Sequence, residues 1–347
     1  LLVSSFFLLI GSGLTGILLP LRAGLEGWSP STIGFMGSFY AACFLAGCVL
    51  IPRLVRRVGH VRVYAVVATI LSISLMGHAV FVSVPFWFLF RGAAGFAIAG
   101  AYMVIESWLN EQTSNENRGS VFSAYMVVNI VGLMVGQFLL VTSEPILTTL
   151  FIFAAMAYAA AVIPTGVTAA ISPQPPAEVK IDLRKLYNTS PVATLGAAMT
   201  GFTVGAWSFQ APVYGAQLGL SDGQIAAMLI VAMIGGVALQ FPLGRASDRM
   251  DRRLIMLLAT AIGLIVSIIF VLLEPTTAII LFSLMFFFGG VLMPLYSLVV
   301  AHANDHAAPG EFVETSSGLL IVYGVGSMIG PVIAGLLMDA IGRSGMF

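Results

Sequence analysis

The sequence predicts an all-α polytopic membrane protein built as two pseudo-symmetric helical bundles. Three observations carry this: an apolar excess, eleven separate apolar runs of spanning length, and a self-similarity at a nearly constant offset. Of 347 residues, 59% are apolar and 9% are charged, whereas a soluble domain has about 45–50% and about 25%. A bilayer span needs about 20 predominantly apolar residues. Backbone groups in lipid must be satisfied within their own segment, so each run is read as a helix.

In the first half the runs cover 1–21, 30–51, 61–81, 85–108, 119–141 and 146–168. The first is too long for the apolar region of a cleavable signal. Gly27-Trp-Ser-Pro30 separates it from the second, and Gly59 separates the second from the third. Pro85 opens the fourth, a polar stretch closes it, and Thr142-Ser-Glu-Pro145 divides the fifth from the sixth. The longest polar stretch, Ser172 to Pro191, then splits six runs from five. The second half repeats the pattern over 191–214, 222–243, 253–273, 276–301 and 313–338. The expected organisation is a bundle of six helices over 1–170, a cytoplasmic linker over 171–190, and a second bundle over 191–347. Cys43 and Cys48 share one run. Five residues apart on a helix, they point away from each other and are poor disulfide candidates.

Lysine and arginine orient the chain. With its start placed in the cytoplasm, twelve of fifteen basic residues fall in cytoplasmic segments. Arg22 and Arg343 fall outside, and Arg91 lies within a span. That bias is a positive-inside signal. It puts the charged stretch Leu243–Arg253, read as a loop, on the cytoplasmic side. No basic patch with interleaved aromatics suggests nucleic acid.

Displaced by 192 residues, the sequence meets itself: Gly13 meets Gly205, Pro20 meets Pro212, Arg53 meets Arg245 and Arg57 meets Arg249. At an offset of 194, Tyr102 meets Tyr296, Gly132 meets Gly326 and Gly136 meets Gly330. A parallel repeat of six helices implies two halves and a site near the membrane midplane. It also predicts a twelfth helix beyond Phe347, and the opening without Met leads us to expect residues before Leu1.

Specific motifs sharpen this. Gly244-Arg-Ala-Ser-Asp248-Arg249-Met-Asp-Arg252-Arg253 resembles the signature that the major facilitator superfamily carries between its eighth and ninth helices. Arg91-Gly-Ala-Ala-Gly95 resembles that superfamily's Arg-xxx-Gly motif on helix 4. Gly326-Ser-Met-Ile-Gly330-Pro331-Val-Ile-Ala-Gly335 resembles the Gly-xxx-Gly-Pro-xx-Gly motif of proton-coupled antiporters, there on helix 5. Here the fifth span keeps Gly132 and Gly136 without the proline. "YMVIESWLNE" and "PLYSLVVAHANDHAAPGEFVETSSGLL" are similar to the bacterial YcaD-like branch. The resemblance implies the major facilitator fold, a multi-pass protein of the bacterial cytoplasmic (inner) membrane, and a cytoplasmic N-terminus and central loop.

The resemblance also implies a conformational latch at the charged signature. Gly244 would let helix 8 approach a neighbour. Asp248 would accept hydrogen bonds at the start of the fifth span, balanced by Arg249 or Arg252. The first-half copy has Arg56 where the second has Asp248, and an arginine accepts no hydrogen bond. Glu311 is the expected partner of Arg56, which makes the gate asymmetric. The alternative is that these charges only anchor topology.

A substrate site need not repeat, so the breaks in the repeat supply its candidates. Arg91 corresponds to Met285, Glu106 to Val300, Asn129 to Tyr323, Gln137 to Pro331, Trp207 to Thr15 and Gln210 to Leu18. An intramembrane charge is costly and by default functional. Arg91 lies about 9 Å below the outer surface, where it binds an anionic group, modulates a proton site, or snorkels. Glu106 lies about 22 Å further along the same helix, on a broad face with Tyr102, as a proton carrier or a hydrated carboxylate. Trp207, Gln210 and Tyr214 share one helix face. Trp207 and Gln210 are cavity candidates, and Tyr214 fits an interfacial belt. His302 and His306, read as lying in a short cytoplasmic loop, mimic a metal pair, but we expect no metal there, no cofactor and no enzymatic activity.

These residues predict a secondary active transporter that moves a small organic solute by alternating access, coupled to protons and in the export direction. Two alternatives stay open: uptake of a small organic anion through Arg91, and a membrane scaffold or assembly subunit that transports nothing. A transporter needs Arg91, Gln210 and Asn129 facing water-filled space; a scaffold packs them away.

Overall fold

A computed structural model describes residues 1–113, 117–167, 182–275, 277–307 and 312–347. The helices are α1 Leu2–Leu25, α2 Pro30–Val58, α3 His60–Val80, α4 Val84–Glu111, α5 Arg118–Phe138, α6 Thr149–Ala160, α7 Val162–Gly166, α8 Leu183–Thr189, α9 Pro191–Gln217, α10 Asp222–Arg249, α11 Arg252–Leu273, α12 Ala278–Asn304 and α13 Phe312–Ile341. A 3₁₀ turn, Leu139–Thr142, extends α5, and α6 runs on into α7. Among the described residues, eleven segments are long and apolar enough to cross a membrane. Large apolar side chains stay exposed along them, such as Leu272, Ile279 and Leu264. A lipid-facing surface requires this and an aqueous one penalises it.

Helix starts follow local chemistry. Asp182, Ser190, Ser221 and Asp251 cap α8, α9, α10 and α11 by accepting backbone amides, which satisfies donors that have no intrahelical partner. Ser221 and Gln224 form a reciprocal capping box. The central linker is not featureless: its end, 183–189, is the short helix α8. Leu186 on α8 is buried in a cluster with Ala193, Ala197 and Leu319. Residues 168–181 of the linker lie outside the described residues.

The stretch Leu243–Arg253 is not a loop. Through Arg249 it is about the last two turns of α10, because nothing breaks the helix until Met250, which is extended. Asp251 then caps α11 at once. Likewise His302 is not in a loop: α12 runs to Asn304 and His302 is buried.

The chain divides into two compact units, one of Leu1–Glu26 with Phe39–Ala177, the other of Gly27–Ser38 with Glu178–Phe347. The first turns of α2 therefore belong with the second half, although they are first-half sequence.

Within each unit the same helix crossings recur, at equivalent residues. In the first, a Cβ on Gly13 would fall on the Leu133 carbonyl and one on Gly136 on the Ile10 carbonyl, where α1 crosses α5. In the second, Gly205 meets the Ser327 carbonyl and Gly330 the Phe202 carbonyl, where α9 crosses α13. Leu133 and Ser327 differ by the same offset as the glycines, and so do Ile10 and Phe202. The α2–α4 crossing sets Gly95 on the Tyr40 carbonyl, and its counterpart sets Gly289 on the Ala232 carbonyl. Lipid offers no hydrophobic force to join helices, so backbone approach at small residues supplies the packing. The repeat in sequence is thus a repeat of contacts.

At the far end of α11, Glu274 takes a left-handed backbone with φ 40°. Arg343 donates to its carboxylate at 2.7 Å and Ser344 at 2.9 Å. The Arg343 hydrogen bond, then that of Ser344, hold this carboxyl below the ordinary glutamate range. A depressed folded-state value stabilises above the ordinary range and is lost as pH falls through it. Acidification below that range should therefore loosen residues 342–347. Amide hydrogen exchange of this segment should accelerate in acid beyond the intrinsic trend, and Glu274→Gln should remove the difference.

Candidate functional site

α4 brings the charged candidates onto the first unit. Arg91 is buried, with 7% of its surface exposed, and its guanidinium lies 4.2 Å from the centre of the Tyr40 ring on α2. A desolvated cation over an aromatic face gains about 2 kcal/mol. Tyr40 and Tyr158 are its electrostatic neighbours. The Tyr158 hydroxyl, on α6, lies 3.4 Å from both Ser12 Oγ and Thr15 Oγ1 of α1. Buried His78 on α3 also feels Arg91; its Nδ1 pairs with the Ser74 carbonyl at 2.6 Å, while its Nε2 finds no hydrogen-bond partner among the described residues.

Further along α4, Tyr102 is half-buried and Glu106 is exposed. Tyr125 of α5, only 2% exposed, donates its hydroxyl to Glu106 Oε1 at 3.1 Å. One turn on, Asn129 Oδ1 accepts from Ser5 Oγ of α1 at 2.5 Å. Ser5 and Asn129 are also hydrogen-bonding neighbours of the Tyr125 hydroxyl. Arg91, Tyr102, Glu106 and Asn129 therefore belong to one polar array on the first unit, joined by Tyr40, Tyr125, Tyr158 and Ser5. Gln137 lies at the end of α5, half-buried, its Oε1 without a hydrogen bond among the described residues.

The second-unit candidates behave differently. Gln210 is fully buried and does not face open space. Its Nε2 donates to the Pro30 carbonyl at 2.9 Å and to the Pro331 carbonyl at 3.2 Å. Gly335 closes on the Pro30 carbonyl and Gly34 on that of Pro331. Gln210 is thus a bridge among α9, α13 and the start of α2, drawn to backbone acceptors because burial leaves its amide no water. Trp207 stands 5.2 Å from Phe288, ring to ring, and lines a cavity of about 140 Å³ with Phe202 and Ala334. Tyr214 is not an interfacial residue: it is buried against Phe270 and Phe347.

Gly326, Gly330 and Gly335 are close-approach positions on α13. Pro331 leaves the Ser327 carbonyl without its helical donor, and Gly205 packs there. The charged signature is arranged around Arg252. Its Nε donates to Asp305 Oδ2 at 2.6 Å, and its Nη1 to Asp248 Oδ1 and to Ser247 Oγ, each at 3.1 Å. Asp248 and Arg249 are exposed. At Gly244 a Cβ would meet nothing within 4 Å among the described residues. Arg56 is exposed on α2, and Glu311, its expected partner, lies outside the described residues. Among the described residues no group of histidine, cysteine and carboxylate can hold a metal, and Cys43 and Cys48 are free thiols.

Arg91 is not alone as a buried arginine. Arg22, placed outside by its position in sequence, is buried in the last turn of α1. It pairs with Glu26 at 2.6 Å and donates to the Ile146 carbonyl.

Sequence reasoning missed Tyr40, Tyr125, Tyr158, Ser5 and His78. One signal was present: Tyr125 precedes Asn129 by four residues, one helix turn, and so shares its face.

Repeated helix crossings and, among the described residues, eleven segments of spanning length define a multi-pass membrane protein built as a repeat. The family model of the Major Facilitator Superfamily matches residues 1–331, and the chain belongs to that superfamily. It is 26% identical over 320 residues to the uncharacterized MFS-type transporter YcaD of Salmonella arizonae, covering 92% of this chain and 82% of that protein. To YcaD of Escherichia fergusonii it is 24% identical over 345 residues, covering 98% and 88%. Among solved structures, the nucleoside transporter NupG superposes with a TM-score of 0.84 at 14% identity, covering 99% of this chain and 91% of that one. A bacterial homologue of the human lysosomal transporter Spinster gives 0.78 at 16% identity, with 98% and 80% covered. At these identities the structures establish the fold.

Proposed function

We propose that this transporter moves a small organic solute across the bacterial cytoplasmic membrane by alternating access, in the export direction and driven by protons. The N-terminus and central linker are then cytoplasmic, as the basic residues argue. Arg91 and Gln210 are packed away rather than facing open space, which is the arrangement expected of a scaffold. The observation that supports transport is therefore that Arg91 is a cation in a span and does not repeat: its second-unit equivalent is Met285. A fold-maintaining residue would repeat with the fold, whereas a solute-binding charge need not. A guanidinium over Tyr40 suits a solute with an aromatic or anionic group. The antiporter-like glycines of α13 favour export only by resemblance, since their packing against α9 accounts for them.

The test is uptake into proteoliposomes of a library spanning nucleosides, organic anions and amphipathic aromatics, with and without a pH gradient. Gradient-driven accumulation that requires Arg91 supports the reading. Accumulation of an anion against its gradient in the inward direction supports uptake instead. Silence for every class, in protein that binds none of them by calorimetry, favours a scaffold.

Asp248 is the gating group under this reading. Asp248→Asn should leave folding intact, because Arg252 keeps Asp305, and should reduce transport to near background. Full activity in a correctly inserted variant would remove Asp248 from the gate.

A further inference from the structure

We infer that Glu106 is a proton-exchanging carboxylate of this protein and that Tyr125 is its positioning residue, the two joined to a hydrogen-bonded array that ties α4, α5 and α1. The inference rests on the proton-driven reading only for its purpose in transport; the protonation itself can be tested without any solute.

Glu106 lies inside a spanning helix yet is exposed. A carboxylate in such a helix faces water or a polar interior, because lipid excludes it. Tyr125 grips one oxygen, Oε1, at 3.1 Å. Oε2 carries no hydrogen bond among the described residues and is the oxygen open to a proton from water. Among the described residues, the groups facing Glu106 are few. Tyr102 stands on its own helix, Cys48 on α2 and Tyr125 on α5. Behind Tyr125 stand Asn129 and Ser5. None of them is a charged partner, so the carboxylate gains or loses a proton without breaking an ion pair with them.

Tyr125 is suited to hold either form. Its hydroxyl donates to the carboxylate, and after protonation on Oε2 it donates to the remaining carbonyl oxygen, so the side chain need not turn. Burial of the tyrosine, with Asn129 and Ser5 at its hydroxyl, fixes that donor in place. The second unit has Val300 in place of Glu106 and Leu319 in place of Tyr125. Donor and acceptor are lost together there, as expected of a functional pair rather than a packing requirement.

The experiment is pH-difference infrared spectroscopy of the full chain in lipid, reading the carbonyl stretch of protonated carboxyl groups. Wild-type protein should show a titrating band that Glu106→Gln abolishes. Tyr125→Phe, which keeps the ring and its packing, should retain the band but move it to higher wavenumber, because the hydroxyl no longer weakens the carbonyl. An unchanged band in Glu106→Gln overturns the protonation site. An unchanged band position in Tyr125→Phe overturns the positioning role, and a merely structural tyrosine would give that result. A band that follows both expectations while a pH gradient drives no solute overturns the proton-driven reading and leaves the site standing.

Discussion

Arg91→Met is expected to weaken solute binding by about ten- to a hundredfold and to reduce transport with it, while leaving the protein folded, with a melting temperature in detergent at or above that of wild type. The two halves of this expectation have separate causes. Burying a guanidinium costs several kcal/mol of desolvation, and replacing a buried charge by an apolar side chain of similar volume is often neutral or stabilising. Loss of the Tyr40 contact, about 2 kcal/mol, works against this, and methionine refills most of the volume over the same ring. On the solute side, a charge-assisted hydrogen bond is worth about 1.5–3 kcal/mol. Its loss weakens binding by about ten- to a hundredfold. Arg91→Lys should fall between, because lysine keeps the charge and loses the planar stack on Tyr40. The checks are a thermal melt for stability and calorimetric binding or vesicle uptake for function. A variant that melts early and still transports would make Arg91 a structural residue.

Gly13→Leu should destabilise the protein strongly, whereas Gly16→Leu on the same helix should be close to neutral. A side chain at Gly13 meets the Leu133 backbone, which has no flexible end to move aside, while a Cβ on Gly16 meets nothing within 4 Å. Overpacking of this kind costs about 1–3 kcal/mol, and more where backbone must shift. The identical substitution three residues away, on an exposed position of α1, controls for helix propensity and added hydrophobicity. Because Gly205 stands in the equivalent crossing, Gly205→Leu should repeat the loss. The measurement is the thermal midpoint and yield of folded protein in detergent. Equal midpoints for Gly13→Leu and Gly16→Leu would show that the α1–α5 crossing does not depend on backbone approach.

The helices were legible because their signal is local. Apolar runs of spanning length identify themselves, and their ends in sequence agree with the structure to within a few residues at many boundaries. The larger departures come at charged ends. Leu243–Arg249 and His302 read as loop because charge and polarity end a run of hydropathy, yet a helix continues into water for as long as its hydrogen-bond ladder is not interrupted. Proline punctuation at Pro30 and Pro191 did coincide with helix starts, since the first turn needs no donor there.

The site was legible in part. Arg91, Glu106 and Asn129 stand out as breaks in the repeat, and the structure draws them into one array of side chains. Gln210 stands out equally and does something else, because a buried amide binds whatever acceptors the packing supplies. Gly244 matches a family signature, yet an added Cβ there would meet nothing within 4 Å among the described residues. Residue type and spacing named the unusual positions without naming their partners.

By itself, then, the sequence determined the number and order of the spans, their sidedness expectation, the two-fold repeat and the superfamily. Each depends on composition within one helix or on comparing equivalent helices, and both survive without knowing the packing. Only the tertiary structure decided which polar groups meet. Glu106 and Tyr125 are 19 residues apart, Ser5 and Asn129 are 124 apart, and Gln210 and Pro30 are 180 apart. Such pairs depend on the rotation of each helix about its axis and on which backbone reaches a glycine. A turn of 100° per residue carries a side chain from one neighbour to another, and hydropathy does not specify that phase.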